Sequence, residues 1–466
     1  MKAGIINKTE TLAHRLASYA LDLHYDNIPQ PVLHETKRRL IDALGCAIGA
    51  FDSEPCRIVR QVARTVTTPA AGATVLGTRH RTTADMAAFA NGAAVRYLDF
   101  NDTYLSKEPA HPSDNISAAL AVGEAEGRSG KDILAAIVLA YEVQCRLCDA
   151  ASIRARGWDH VTYGAYSVSL LAGKLYGLTH EQLVQAVGLA GVPNNALRQT
   201  RVGELSHWKG CAFANVARNG VFAAQLAQHG LTGPSEVFEG EMGFWKQVSA
   251  PFELAPMAGS GRQFMILSTS MKNYPADYHS LSAIEAALSL RAQIPSVDDI
   301  ESITIESFEA AVDIIAGFAE HWRPENRETA DHSMPYCVAA ALMDGDITLA
   351  SFTEARIRDP QLLALIQKVT VNRNSEMTAG YPAGVPNLLK IRLKNGQLLT
   401  EQVTYPLGHA RNPMSDADLE RKYRSLAERV FPPDQVGRQL DALWRFETLE
   451  GTQALRDVFD LFVVEP

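Results

Sequence analysis

The chain has 466 residues, 46% of them apolar and 21% charged, with a formal net charge of −9. That composition excludes a disordered or low-complexity protein and leaves enough apolar surface for a large core. The acidic balance argues against a general nucleic-acid binder, while still allowing a local basic pocket for an anion.

The opening run MKAGIINKTETLAHRLASYAL carries early charges and no long apolar segment after Lys2, so it is not expected to act as a signal peptide. No stretch reaches the length of a membrane span, and apolar runs such as AAIVLAY at 135–141 fit buried helix. A cytoplasmic protein with no membrane partner is the expectation.

Helical periodicity begins at Thr9–Leu23, where Leu12, Leu16, Tyr19 and Leu23 recur on one face. Val32–Ile48 follows the prolines at 29 and 31, and the pattern continues through Asp85–Tyr97, Ile116–Glu126, Asp132–Cys148 and Tyr163–Tyr176. Thr179 and Gln182 form a capping-box signature before a helix through Leu189. Gly230 is placed to end the helix that starts at Trp208. Alanine and glycine recur inside these segments, which suits close packing. They predict a large all-helical domain over residues 1–268.

Period two then replaces the helical period at 301–307, 368–372 and 389–393. Asn395-Gly396 marks a hairpin into a returning strand at 397–405. With helical runs at 279–291 and 332–343, this predicts a smaller α+β domain with an antiparallel sheet over 269–408. Ser415 caps a last helical stretch within 409–466, which is expected to return to the helical domain. The fold class is therefore mainly α with an α+β part.

Six cysteines (Cys46, Cys56, Cys145, Cys148, Cys211 and Cys337) are scattered, as reduced thiols would be. Cys145 and Cys148 make a C-x-x-C, but inside an apolar-periodic segment and without a second pair. Buried helix cysteines are expected there, not a zinc or redox site.

Chemistry concentrates between Leu98 and Ile116, where Asp99, Asp102, Thr103 and His111 crowd a run broken by Pro109 and Pro112. Loops held by rigid neighbours often carry function. A helix cap at Ser113 or Asn115 with solvated aspartates would explain the same residues. Four further clusters share this ambiguity. Arg156–His160 offers His160, although a lone histidine is more often structural. Leu197–Gly210 sends Lys209 into an alanine-rich helix, where a buried ammonium needs an anion unless it snorkels to the surface. Met271–His279 sets Lys272 before a turn and His279 at a helix start, which favours a neutral imidazole. Asp331–Tyr336 places Tyr336 before an apolar helix, where a tyrosine filling a core gap fits equally well. There is no G-x-G-x-x-G, no P-loop and no credible iron–sulfur cysteine set, so the expectation is no cofactor and no metal.

Taken in order and over nearly the whole chain, LDFNDTYLSKEPAHPSDN, RGWDH, LRQTRVGELSHWKGCAFANVARNG, MKNYPADYH and DHSMPYCVAAALMDG resemble the motifs of the MmgE/PrpD family. The run WKGCAFANVARNG and the turn YPADYHS are most similar to its MmgE-type 2-methylcitrate dehydratases. The resemblance implies a helical domain built from both ends of the chain, an α+β lid, and an active site between them. It also implies a homodimer, a tricarboxylate substrate and no metal. The family's active-site positions fall on Asp99, Thr103, His111, His160, Lys209, Lys272, His279 and Tyr336. Asn101 departs from the aspartate of many relatives, which weakens any transfer of substrate from the decarboxylase branch.

The activity so implied is loss of water from 2-methylcitrate, with citrate as a further substrate, in propionate catabolism. Such a reaction needs cations beside a developing enolate, for which Lys209 and Lys272 are suited. Arg198 and Arg201 are expected to hold the remaining carboxylates. His111 and His160 form the acid–base pair in either order, with Asp99 orienting one, and His279 and Tyr336 assist from the lid. Decarboxylation of cis-aconitate, isomerisation or epimerisation of a related acid, and plain tricarboxylate binding are the alternatives that share this pocket.

Overall fold

Apolar spacing and high alanine content yield tightly packed helices in the computed structural model, which describes residues 10–68, 72–203, 205–259 and 261–464. The opening run up to Thr9, the expected start of the first helix, and Glu204 of the Leu197–Gly210 cluster lie outside the described residues.

The first helix, Leu12–Asp22, buries Leu12, Leu16 and Ala20. The second, Gln30–Gly49, takes Pro31 into its first turn, where a missing N–H removes no helical bond. Its Gly45 admits the Tyr423 ring, since an added Cβ would stand 2.9 Å from that ring. Helix Asp416–Ala427, opened by a Ser415–Asp418 capping box, thereby docks on the N-terminal part. Leu419, Tyr423 and Leu426 share one apolar core with Leu40, Leu44 and Ile48.

Two central helices, Ala84–Tyr97 and Trp208–Gln228, meet through small residues. A Cβ added at Gly92 would lie 3.2 Å from that of Ala214. This close crossing brings Arg96, near the end of one helix, and Lys209, at the start of the other, to a single carboxylate. Cys145 and Cys148 are buried in helix Gly130–Ala150, where burial pushes both thiols up and away from reactive thiolate. Among the described residues no helix is long and apolar enough to cross a membrane.

A second apolar core draws on residues 276–399 and surrounds a four-stranded sheet. Its strands stand in the order Val369–Arg373, Ile300–Ser307, Asn387–Leu393, Leu398–Val403. Ile303 and Ile305 point into this core opposite Ile391 and Leu389 of the antiparallel neighbour. Gly396, at a φ of +89°, turns the chain between the last two strands. The expected antiparallel sheet needs one correction, because Ile300–Ser307 and Val369–Arg373 run parallel. Between them the chain passes through helices Met334–Asp344 and Pro360–Ile366, a crossover long enough to bring it back in the same direction. Alternation assigns the faces of a strand and says nothing of its direction.

Short elements outside the long periodic runs fill the connections, among them helix Glu54–Ala63, helix Glu309–Ile315 and the ladder of Ala73–Thr74 with Arg81–Thr82. The helical core gives way after Met271 and resumes at Met414. At that boundary the Met271 N–H donates to the Gly408 carbonyl at 2.9 Å, so the two connections run side by side.

Candidate active site

Past the end of helix Ala84–Tyr97 the chain stays irregular until the short turn Pro112–Asn115. Asp99 stands just after the helix with a φ of +51°, a left-handed conformation that short polar residues tolerate best. Its carboxylate is gripped by Arg96 and by Lys272, whose Nζ lies 2.9 Å from Oδ1 and also donates to the Asp99 carbonyl at 2.8 Å. Lys209 Nζ lies 3.9 Å from Oδ2, and His332 Nε2 3.4 Å. Burial alone would raise the Asp99 carboxyl, but Arg96, Lys272 and Lys209 together hold it well below the usual carboxylate range. Burial pulls the Lys272 ammonium down, and Asp99 works against that pull.

Lys209 also donates to Asp331 Oδ1 at 3.0 Å and sits 3.0 Å from His332 Nδ1. Asp331 and His332 belong to the α+β domain, so the two domains meet in one buried charge cluster. Removing a single member of such a cluster strands the others, which is why the set acts as a unit.

A cleft opens in front of this cluster. Arg96, Thr103, His111, His160, Arg198 and Arg201 line its helical side, and Asp277, His279, His321 and His332 line the other. His111 Nδ1 is 2.7 Å from the Asp102 carbonyl, so a proton there donates to it and leaves Nε2 to accept from Arg96 Nη2 at 3.0 Å. His160 is arranged differently. Its Nδ1 is 3.1 Å from Asp159 Oδ1, and its buried Nε2 has no hydrogen-bond partner among the described residues. Arg201 Nε clasps the other Asp159 oxygen at 2.9 Å. The two imidazoles stand 5.7 Å apart, edge to face. Burial is the main force keeping both neutral. It pulls His160 down to about 3 against the attraction of Asp159, and it takes His111 well below the ordinary range with help from Arg96 and Lys272.

On the facing wall Asp277 Oδ1 accepts from the His279 backbone N–H at 2.9 Å and lies 2.8 Å from its Nδ1. His279 Nε2 is then 3.4 Å from the Tyr381 hydroxyl. Asp277 Oδ2 is 3.6 Å from His332 Nε2. Asp99, Asp277 and His332 bring one potential ligand atom each within 4.8 Å of the others. With Arg96, Lys209 and Lys272 already beside these carboxylates, the local field favours an anion over a metal ion.

Sequence models of the MmgE/PrpD N-terminal domain and the MmgE/PrpD C-terminal domain match residues 14–257 and 274–448. The chain belongs to the MmgE/PrpD family. A 2-methylcitrate dehydratase from Cupriavidus necator is 32% identical, with 94% of each chain covered. One from Escherichia coli strain K12 is 30% identical over 91% of this chain and 92% of its own. A mitochondrial 2-methylcitrate dehydratase from Yarrowia lipolytica is 30% identical over 93% and 87%.

Of the positions implied by MmgE/PrpD resemblance, Thr103, His111, His160 and His279 reach the cleft wall, together with Arg198 and Arg201. Asp99, Lys209 and Lys272 lie buried behind it. Tyr336 does not join them. Its side chain is enclosed in the α+β core next to Phe352, and its hydroxyl donates to the Ser351 carbonyl at 2.5 Å. Ser333 caps helix Met334–Asp344 and turns Tyr336 inward, so the core-filling alternative is the one the structure supports. His332, just ahead of that cap, faces the cleft instead.

Arg96, Arg154, Asp277 and His332 were not singled out by the sequence. Arg96 carries the same signal as Lys209, a long cation in an alanine-rich helix (ANGAAVRY) that must find an anion. Asp277 and His332 lie inside the quoted motifs, but spacing alone does not show which side chain of a motif faces the cleft.

Proposed function

We propose that this protein is a 2-methylcitrate dehydratase, a hydro-lyase that removes water from a small tricarboxylate using its own side chains. The observation that carries the reading is His160, a neutral imidazole with an unoccupied Nε2, facing a cleft whose walls are rich in cations. The 2-methylcitrate dehydratases related over nearly the full chain support dehydration over decarboxylation. Assembly as a homodimer, implied by the family resemblance, and a cytoplasmic setting, expected from the sequence, belong to the same proposal.

In this mechanism His160 Nε2 takes the proton from the carbon next to one carboxylate. The C–H electron pair becomes the new C=C bond, the neighbouring C–O bond breaks, and the departing hydroxide collects a proton to leave as water. His332 is the proposed proton donor, because it lines the cleft with its Nε2 3.4 Å from Asp99 Oδ2 and 3.6 Å from Asp277 Oδ2. Charge building on the substrate carboxylate is met by Arg96 and by the field of Lys209 and Lys272. One preorganised donor of this kind contributes about 3 kcal/mol, and acid or base catalysis about 10²–10⁴-fold each. An imidazole held at about 3 is a weak base in the empty site. Substrate carboxylates offset Arg201, Arg96 and Arg198, which add to burial in holding it there, so binding itself raises its basicity. Arg198 and Thr103 are the proposed substrate contacts, and Arg201 acts through Asp159 as a positioning residue.

The test is to give purified, chelator-treated protein 2-methylcitrate, citrate and cis-aconitate in parallel, following ultraviolet absorbance and identifying products by NMR. Rapid formation of 2-methyl-cis-aconitate is expected. Carbon dioxide from cis-aconitate with no dehydration would replace the reading with decarboxylation, and inactivity on all three would overturn it.

A further inference from the structure

Counter-charges are unevenly distributed among the cleft arginines. Arg96 is paired with Asp99, and Arg201 with Asp159. Arg154 and Arg198 also line the cleft, yet neither has an ion-pair partner among the described residues. Arg198 is half-buried in the turn Arg198–Arg201. Burial pulls its guanidinium down and Arg154 and Arg201 push the same way, while Glu108 and Asp159 oppose them. Two neighbouring guanidiniums, partly shielded from water and short of a counter-ion, suit a carboxylate held by forked hydrogen bonds.

The loop that carries Arg154 is firmly anchored. Glu108 is wholly buried, and one of its oxygens accepts from the Ser152 hydroxyl at 2.9 Å, the Ile153 N–H at 2.7 Å and the Arg154 N–H at 3.1 Å. One oxygen of the carboxylate that bears on both Arg154 and Arg198 is therefore committed to holding the loop, and neither oxygen forms an ion pair with those guanidiniums among the described residues. Across the cleft, the Arg154 guanidinium stands beside the Tyr381 phenol, whose hydroxyl is 3.4 Å from His279 Nε2. Its position thus ties it to the reacting groups of both walls.

We infer that Arg154 is a specificity-determining residue, which with Arg198 binds one carboxylate of the substrate and so selects a tricarboxylate over a dicarboxylate. The inference rests on the tricarboxylate reading above and assigns the third carboxylate to a side chain that neither the motifs nor the resemblance pointed to.

Calorimetric binding of propane-1,2,3-tricarboxylate, which has no hydroxyl to lose, tests it against methylsuccinate, the same skeleton without one terminal carboxylate. Arg154→Gln is expected to weaken the tricarboxylate about 10-fold or more and methylsuccinate by less than about twofold. Arg154→Lys, which keeps the charge without the fork, is expected to fall between wild type and Arg154→Gln. In turnover the loss is expected in KM more than in kcat. Equal weakening of both ligands, or none of either, overturns the role of Arg154 while wild-type activity leaves the dehydratase reading standing. A wild-type protein that neither binds nor converts any tricarboxylate overturns both.

Discussion

Behind the cleft, Arg96, Lys209 and Lys272 share the carboxylates of Asp99 and Asp331, and all five side chains are almost fully buried. Arg154 and Arg198, which line the cleft, are half-exposed and have no such partners among the described residues. The same kind of charge thus serves two ends. The paired set fixes geometry and field before substrate arrives, whereas the unpaired set is completed by the substrate. Damage to the first is expected to reach the fold, and damage to the second to reach affinity alone.

The largest effect is expected where the paired set is unbalanced. Asp99→Asn keeps the side-chain shape and tolerates the left-handed backbone, but leaves three cations with one carboxylate fewer. A loss of about 3–5 kcal/mol is expected in urea unfolding, together with loss of turnover. A loss under about 1 kcal/mol would show that the buried charges do not depend on one another.

His160→Asn moves to the face of the cleft. A fall in kcat of about 10²–10⁴-fold with an unchanged fold is expected, and full turnover would remove His160 from the chemistry. The same variant sharpens the contrast through pH. Burial holds His160 at about 3, below the usual 6.5, so between those values the unfolded chain takes up a proton that the folded protein refuses. Its contribution to stability is complete above about pH 6.5 and is lost as pH falls toward 3. Urea midpoints measured between about pH 7 and 5 are expected to fall less steeply for His160→Asn than for wild type. Identical slopes would mean that the buried neutral imidazole makes no such contribution.

The smallest effect marks where the site stops. Tyr336→Phe loses one hydrogen bond, to Ser351, so about 1 kcal/mol of stability and no change in kcat are expected. A large drop in kcat would return Tyr336 to the cleft.

Most of the helical architecture is legible in the sequence because alanine-rich amphipathic runs such as Trp208–Gln228 leave few alternatives. The strands were legible as strands, yet the parallel pairing of Ile303 with Val369 was not, since direction is set by the crossover and not by alternation. In the site, His111, His160 and His279 stood out as polar groups between packed helices. Tyr336 is not resolved by sequence, because a tyrosine before an apolar helix reads alike in a core and in a cleft. His332 stayed hidden because its partners, Asp99 and Asp277, are brought to it by tertiary folding from distant segments.

The paired connections at the domain boundary have a further consequence. Gly408, at a φ of +92°, packs so closely on the Met271 carbonyl that a Cβ there would come within 2.1 Å of its oxygen. Entry to and exit from the α+β domain therefore run side by side, joined by Met271 N–H to the Gly408 carbonyl and by Ala410 N–H to the Ser270 hydroxyl. In terms of gene architecture the domain is a cassette with its ends already joined. Exchanging it between relatives would have to preserve both this crossing and the charge cluster that Lys209 and Asp99 share with Asp331 and His332.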